Sequence, residues 1–565
     1  MWIVALVLVC GLTLFANLGA RDFWKADESR HAQRAREVLA SGRWWTPTYL
    51  GRQSFDKHPI HIWLMAGSGL LLGGPPETAF RLPMASAGLA SVLFTFALGT
   101  RLFGPRAGGM AGFVLATTFL IVYHARAAFI DLPLLACITG AILFGHRALD
   151  ASRPHAGDAA LAVVCLVVGT AAKGPVGLVL PLLVLGASGA ASARWRIIVW
   201  IALLSAVAVV PLYLAIGYEF TSRFLIRDNL LRFLKPEPSL GGDHPAYFYV
   251  LTLAGNFLPW TFLLPALGAA IASTPGAWRR WRLPLIWFGM MFVLLSLAAN
   301  KREPYLLPLL PALALLVGAA ADDLRAGRAP ACVVRWWRGG LIGLGGAFGL
   351  AGLILPFLWP APLGEVAWGP GGTALAAVAA WVVIQSRYPA HPRTAVAAGA
   401  LVLVGMAVLV WSLLPAMNRT RSARLAAATL RAAAGSAPIA VLEGVHAGLV
   451  YYMGFSHPAE ASVAPAEVAS ALRAGRLILV GPGGLQRVQL PAGEAVNVRS
   501  RVWIGKDEYL LLERAAADQT TGKHVTKERS EFIVEREAFR VHCSLFIVHR
   551  QKTAGLGERS FNRQL

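Results

Sequence analysis

Residues 2–45 read WIVALVLVCGLTLFANLGARDFWKADESRHAQRAREVLASGRWW, an apolar run followed by a segment dense in charge. The first part has about the 20 residues that a membrane-spanning helix requires. From Lys25 onward, acids and bases crowd together just where such a helix would leave the bilayer. Ionisable groups at a membrane boundary are costly to hold there and usually serve binding or chemistry.

The rest of the chain repeats the first half of this pattern. Apolar runs recur near 2–18, 82–102, 107–123, 129–149, 158–172, 175–190, 196–217, 248–272, 282–299, 303–321, 339–359, 372–385 and 396–416. They predict a polytopic α-helical membrane protein with about 13 transmembrane helices. With 56% hydrophobic and 15% charged residues in 565, the composition excludes an ordinary soluble multidomain protein. FANLGA resembles a signal-peptide cleavage site, but the many later spans favour an uncleaved first helix. HPIHIWLMAGSGLLLG, 58–73, is short and carries His58 and His61, so it is expected to lie in the headgroup layer.

Cys10, Cys137, Cys165, Cys332 and Cys543 show neither disulfide nor zinc spacing. A net charge of +22 fits anionic lipid headgroups, with no nucleic acid as partner. A cytoplasmic N-terminus puts basic connections inside throughout, among them Arg101, Arg147, Arg194, Arg279, Arg280, Arg282, Arg325, Arg335 and Arg387. The first outer loop, 19–81, is nevertheless rich in Lys and Arg, which suggests cations retained there to bind something anionic. A solvated basic face or an inverted topology is the competing explanation.

In a helix over 26–41, Asp27, Arg30, His31 and Arg34 share one arc, and Ala32, Ala35 and Leu39 form another stripe. Gly42 is placed to end the helix, with Trp44 and Trp45 at the interface. A carboxylate among cations suits a general base beside a phosphate-bearing donor. Asp27 as a helix-start acid paired with Arg30 or His31 is an equal alternative at this level. Further clusters contain Asp56 and Lys57, then Arg126 and Asp131, then Lys173 before Gly174 and Pro175. The loop 218–247 adds Arg227, Arg232, Lys235, Asp243 and His244, and Lys301 with Arg302 opens a later span. Asp56, Asp243 and His244 are candidate metal or acceptor contacts, although no tight ligand spacing is present.

The ordered set ADESRHAQRAREVLASGRWWTP, GRQSFDKHPIHIWL, ARAAFIDLPLL, AAKGPVGLVLP, RDNLLRF to DHPAYFY with LPW, and NKREPYLLPLLPAL resembles the bacterial GT-C glycosyltransferases. These polytopic enzymes use polyprenyl-phosphate sugars and include the lipid A aminoarabinose transferase and the protein O-mannosyltransferases. The likeness covers about residues 1–320. It implies Asp27 as the catalytic acid of the first periplasmic loop with Arg30 beside it, Lys57 as a donor-phosphate ligand, and Trp63 as the counterpart of a family aromatic. Arg126, Lys173, Arg227, Arg232 and Lys301 are the further candidate phosphate or substrate ligands. Asp56, Lys57, His58 and Pro59 replace the usual Glu-Lys-Pro-Pro, which keeps the lysine and weakens any metal role for the acid. No cofactor is certain, and a divalent metal stays open.

The resemblance further implies a multi-pass protein of the bacterial inner membrane with its site facing the periplasm. The donor would be a polyprenyl-phosphate-linked sugar and the acceptor lipid A or a periplasmic protein, with inversion at the anomeric carbon. The expected layout is a transmembrane glycosyltransferase domain at 1–417, a small periplasmic α/β domain at 418–515, and a polar tail at 516–565. APIAVLEGV, RLILVGP and EYLLLER read as strands of that domain, and GPGG at 481–484 reads as a plain turn. A lipid or sugar transporter is the rival class, disfavoured by the absence of a clear internal repeat and by charges gathered in outer loops. An inactive scaffold carrying the C-terminal domain is a further alternative.

Overall fold

The computed structural model describes residues 1–53, 59–73, 76–149, 156–189, 195–217, 221–222, 225–226, 231, 234, 244–245, 247–274, 276–358, 368–442, 445–454, 462–491, 494–504 and 507–515. Asp56, Lys57, Arg227, Arg232 and Asp243 lie outside them, as does the polar tail. Two compact units are distinguished. The first comprises Met1–Pro491 with Val496–Arg514, and it holds all the elements discussed below. In the second, Ala492–Ala495 with Ala515–Leu565, the Ala515 N–H donates to the Ala495 carbonyl at 3.0 Å.

Among the described residues, the apolar runs are helical apart from breaks in two of them. The chain begins with α1 (Trp2–Cys10, extended by a π turn to Phe15), α2 (Ala26–Ser41) and α3 (Ile60–Leu72). There follow α4 (Pro76–Phe103), α5 (Pro105–Ala116), α6 (Phe119–Ala125) and α7 (Asp131–Ala148), then α8 (Ala156–Lys173), α9 (Val176–Gly189) and α10 (Trp195–Ile216). Among the described residues, 5 helices are long and apolar enough to cross a membrane: Pro76–Phe103, Ala156–Lys173, Glu303–Arg325, Ala331–Ile354 and Pro392–Ala416. Counting α5 with α6 (bent by 61°) and Phe248–Asn256 with Trp260–Ser273 (114°) as broken spans raises this to 7. The other runs fall on α7 and on shorter apolar helices.

The two bends complete each other's bonding. Where α5 stops, the Thr117 and Thr118 hydroxyls turn back to the Phe113 and Val114 carbonyls. The freed Phe119 N–H donates to Leu258 O at 2.7 Å, and Trp260 Nε1 donates to Thr117 Oγ1 at 3.0 Å. Broken helix at bilayer depth persists only when its polar groups are paired in this manner. Elsewhere the helices meet through small residues. A Cβ on Gly99 would lie 2.8 Å from the Gly108 Cα, and one on Gly318 would lie 2.4 Å from the Ala107 carbonyl. Without a hydrophobic drive between spans, such close backbone contact supplies the dispersion that holds them together.

Helix α3 has 13 residues, about 20 Å of helix against a hydrocarbon core of about 30 Å. It buries His61, Ile62, Met65 and Ala66 and leaves Leu70 and Leu71 exposed, which agrees with an interfacial position.

The C-terminal sheet has the order β4-β3-β5-β7-β6, formed by β3 (Ile439–Leu442), β4 (Ser462–Val463), β5 (Leu477–Val480), β6 (Val496–Ile504) and β7 (Asp507–Arg514). β4, β3 and β5 run parallel, and β7 and β6 continue antiparallel. The three expected strands are β3, β5 and β7. β4 and β6 are additional: β4 has two residues, and in β6 NVRSRVW alternates polar and apolar residues around a bulge between Val498 and Ser500. One face is covered by the helix Ala423–Ala434, which buries Ala423, Ala426, Ala427, Leu430 and Ala434 at the i, i+3, i+4, i+7 spacing of an amphipathic helix.

Candidate active site

Helix α2 presents two chemically different faces. Ala32, Ala35 and Val38 are buried against Ile62, Met65 and Ala66 of α3 and Phe80 and Met84 of α4. Of the predicted stripe Ala32, Ala35 and Leu39, the two alanines are fully buried, Leu39 is partly buried, and Val38 joins them in the core. Gly42, at φ +69°, closes the helix, its N–H donating to Val38 O at 2.9 Å. Just beyond it, Trp45 meets Trp63 edge to face at 4.9 Å, and Trp63 Nε1 donates to the Trp44 carbonyl.

The adjacent acids Asp27 and Glu28 point in opposite senses. Glu28 is fully buried and receives Arg21 Nη2 at 2.8 Å, Arg81 Nε at 2.9 Å and the Ala128 N–H at 3.1 Å. Burial alone would raise its pKa, but the two guanidinium charges and their hydrogen bonds outweigh this and hold it below the ordinary carboxyl value. Asp27 remains 43% exposed. Arg30 Nη1 approaches it at 3.2 Å from the next turn, and Arg302 Nη2 at 3.9 Å from the segment that opens a later span.

Other polar groups line the same end of the bundle. Lys25 Nζ sits 5.1 Å over the Tyr123 ring, and Lys173 Nζ contacts Asp131 Oδ1 at 2.5 Å and stands 5.0 Å over Tyr305. Tyr305 follows Arg302 by three residues, so one short 3-10 segment serves both Lys173 and Asp27. His446, in front of Ala447–Met453, feels the charge of Arg30; burial is the main cause that lowers its pKa, with Arg30 adding to it and Asp507 opposing.

The expected arc is thereby corrected. Asp27 and Arg30 face outward, whereas His31 and Arg34 are buried at 4% exposure each. His31 packs edge to face on His61 at 4.7 Å, and the Arg34 guanidinium lies 6.0 Å over Tyr49. Arg126 is also buried. Its Nη1 and Nη2 donate to the Ala16 and Asn17 carbonyls at 2.6 and 2.8 Å, sealing the end of the first helix. Lys301 is 7% exposed and donates to Ala298 O, while its neighbour Arg302 reaches Asp27. Of the Lys301–Arg302 pair, expected to open a later span, it is Arg302 whose side chain approaches Asp27. The outer cations that opposed the orientation rule are thus partly internal ties.

Among the described residues, no three His, Cys, Asp or Glu side chains converge as metal ligands. His244, the described member of its candidate set, stacks on Phe248 with ring centroids 4.1 Å apart.

The C-terminal α/β region contributes directly to the first loop. Asn418 Oδ1 accepts from the Asp22 N–H and from Trp24 Nε1, and the Phe23 N–H donates to Tyr452 Oη at 2.9 Å. Tyr452 Oη also donates to Glu77 Oε1 at 3.1 Å, and Arg424 pairs with both Asp22 and Glu77. The hairpin of β1 (Thr48–Tyr49) and β2 (Arg52–Gln53) turns through Leu50 at φ +52° and Gly51 at φ +71°. Positive φ at both central positions is the requirement of a type I′ turn. It is unusual for leucine. Glu37 offsets it by accepting the N–H groups of Leu50 and Gly51, and the Leu50 side chain enters the core of the α/β region beside Ala426, Leu430 and Leu449.

The chain is similar to several known proteins. Residues 56–217 match the family described as dolichyl-phosphate-mannose-protein mannosyltransferase. A relative from Edwardsiella ictaluri, undecaprenyl phosphate-alpha-4-amino-4-deoxy-L-arabinose arabinosyl transferase, is 28% identical over 437 residues, covering 73% of this chain and 76% of that protein. A second such transferase, from Pseudomonas fluorescens, is 30% identical over 345 residues, covering 57% and 60%. The chain spans about three-fifths of the length of most curated relatives it matches. The crystal structure of ArnT from Cupriavidus metallidurans bound to undecaprenyl phosphate superposes with a TM-score of 0.73 at 21% identity, covering 93% of this chain and 99% of that one. The chain has that fold.

Proposed function

We propose, from its likeness to the aminoarabinose-transferase-like GT-C glycosyltransferases, that this chain is an inner-membrane enzyme moving a sugar from a polyprenyl phosphate to a periplasmic acceptor. The sugar is of the 4-amino-4-deoxy-L-arabinose type and the acceptor is lipid A, as the names of the relatives suggest. The observation that carries the reading is Asp27: a half-exposed carboxylate at the bundle end, between Arg30 and Arg302, on a helix whose other face is buried.

In this reading the acceptor oxygen attacks the anomeric carbon as the bond from that carbon to the lipid phosphate breaks, so configuration inverts. The phosphate departs with the bonding electrons and is stabilised by cations, Lys57 and Lys173 among them. Arg30 and Arg302 hold Asp27 in place. With a hydroxyl acceptor Asp27 removes its proton. A lipid A phosphate is already ionised at neutral pH, and Asp27 then orients the acceptor and balances charge. Holding two lipids at one interface makes their encounter effectively intramolecular, which supplies much of the acceleration.

The match of residues 56–217 to the mannosyltransferase family favours a second reading, in which a protein hydroxyl is the acceptor. Mass spectrometry of lipid A and of periplasmic proteins from cells with and without the chain separates the two. A sugar increment on lipid A supports the first reading and an increment on protein the second; neither increment would defeat both.

A further inference from the structure

At the end of the bundle opposite Asp27 lies a cavity of about 470 Å³. Helix α7 shows the separation: Asp131 at its start belongs to the Asp27 end, and His146 near its finish lines the cavity. The intervening residues amount to about 22 Å of helix. Arg101 at the foot of α4, Ser188 of α9, and Arg279, Arg280 and Arg282 from the connection between two later spans complete the polar lining.

The charge balance is lopsided. No carboxylate lines the cavity among the described residues. Arg280 is held bidentately from outside the lining by Asp323, at 2.6 and 2.7 Å, and Arg282 reaches the Ala187 carbonyl at 3.3 Å. Arg279 is exposed and makes no hydrogen bond or ion pair among the described residues. Asp323 neutralises Arg280, so the charge facing the space that a bound anion balances is chiefly that of Arg279 and Arg282. Guanidinium forks match phosphate oxygens in pairs. Leu102, Leu149 and Leu283 give the cavity an apolar side, and the exposed Trp195 and Trp278 stand beside the lining segments. Aromatic residues of this kind mark the headgroup level of a membrane, and basic pockets between span ends recognise anionic headgroups.

We propose that this cavity binds a phosphate group, carried by an anionic lipid headgroup or by a soluble phosphate. The site is remote from Asp27 and holds whether or not the chain transfers sugar. Its side of the membrane, cytoplasmic, follows from the Lys and Arg distribution of the inner connections.

The test is native mass spectrometry of the full-length chain in detergent, titrated separately with cardiolipin, phosphatidylcholine and inorganic phosphate. The expected result is one retained cardiolipin per chain in preference to phosphatidylcholine. Binding should fall about 30-fold in the Arg279→Gln/Arg282→Gln variant, each arginine being replaced near the headgroup layer. Arg279→Lys should keep most of the binding. Arg335→Gln, the same charge change on an exposed residue outside the cavity lining, should bind as the wild type does. Inorganic phosphate retained in place of lipid, with the same dependence on Arg279, identifies the soluble source. Wild-type binding by the double variant, or an equal loss in Arg335→Gln, overturns the proposal. Since Arg279 is exposed, the single variant Arg279→Gln decides the matter if the double variant does not fold.

Discussion

Arg81 Nε donates to Glu28 Oε1 across 2.9 Å with both side chains completely buried. Arg81 lies in the second turn of α4 and Glu28 lies one residue beyond Asp27, so the exposed acid is carried by a helix that a buried ion pair fastens to the bundle. Arg21 joins the same carboxylate at 2.8 Å, and further Arg81 N–H groups donate to the carbonyls of Leu18, Arg21 and Asp22. Removing the acid would leave two guanidinium groups buried without their counter-charge.

Glu28→Gln is therefore expected to destabilise the protein by about 3–5 kcal/mol, the range for breaking a buried pair by deleting one partner. Asp27→Asn, at a half-exposed position, should shift stability by no more than about 0.5 kcal/mol. Thermal unfolding in detergent measures both. Equal effects of the two substitutions would contradict the division of labour between these neighbouring acids.

The same pair has a pH signature. The folded-state pKa of Glu28 lies below its unfolded value because the arginine charges overcome burial. Its stabilising contribution is then fully present above the unfolded carboxyl pKa of about 4.3 and disappears as pH falls through the lower folded value. The stability gap between wild type and Glu28→Gln should be constant from neutral pH down to about 5 and shrink under more acidic conditions. A gap that widens on acidification would show the sign to be wrong.

Leu50 adds an apolar link between the first loop and the C-terminal region, its side chain entering that region's core. Leu50→Ala keeps the backbone polar groups yet empties a place in a core formed with Ala423, Ala427 and Leu430, with an expected cost of roughly 2–5 kcal/mol. Hydrogen exchange should rise both in β1–β2 and in the helix Ala423–Ala434. Increased exchange in the hairpin alone would mean that the two are not coupled.

Much of this arrangement is legible in the residues. The apolar runs, the short helix Ile60–Leu72, the stripe Ala32–Ala35 and the Gly42 cap follow from hydrophobic period and local backbone preference. What the sequence hides is which charge ends up inside. Asp27 and Glu28 are chemically equivalent in a string of letters, and so are Lys301 and Arg302; the tertiary position of Arg81 and the direction of one loop separate them. Likewise, Leu50 in a tight turn offers no hint that it is a core residue, since its partners lie nearly 400 residues further along. Lys25 and Tyr123 join the site only through folding, and Tyr305, although it lies in the NKREPYLLPLLPAL segment, is not singled out by it.

The choice of Arg302 over Lys301 at the site has a kinetic consequence. Arg302→Ala removes a cation 3.9 Å from Asp27 and should lower sugar transfer at least about tenfold while leaving unfolding temperature nearly unchanged. Lys301→Ala removes a buried donor to Ala298 O and should act mainly on stability, by about 1–3 kcal/mol. Transfer assays and melting curves on both variants check the assignment. The reverse pattern would restore Lys301 as the ligand.

The most direct test of Asp27 as the catalytic carboxylate is sugar transfer by the purified chain in liposomes, wild type against Asp27→Asn, with a polyprenyl-phosphate sugar donor and lipid A as acceptor. Donor binding is measured on the same samples. The account predicts that the variant folds and binds donor but transfers roughly 10²–10⁴-fold more slowly. Transfer at the wild-type rate by a folded, donor-binding Asp27→Asn protein would contradict it.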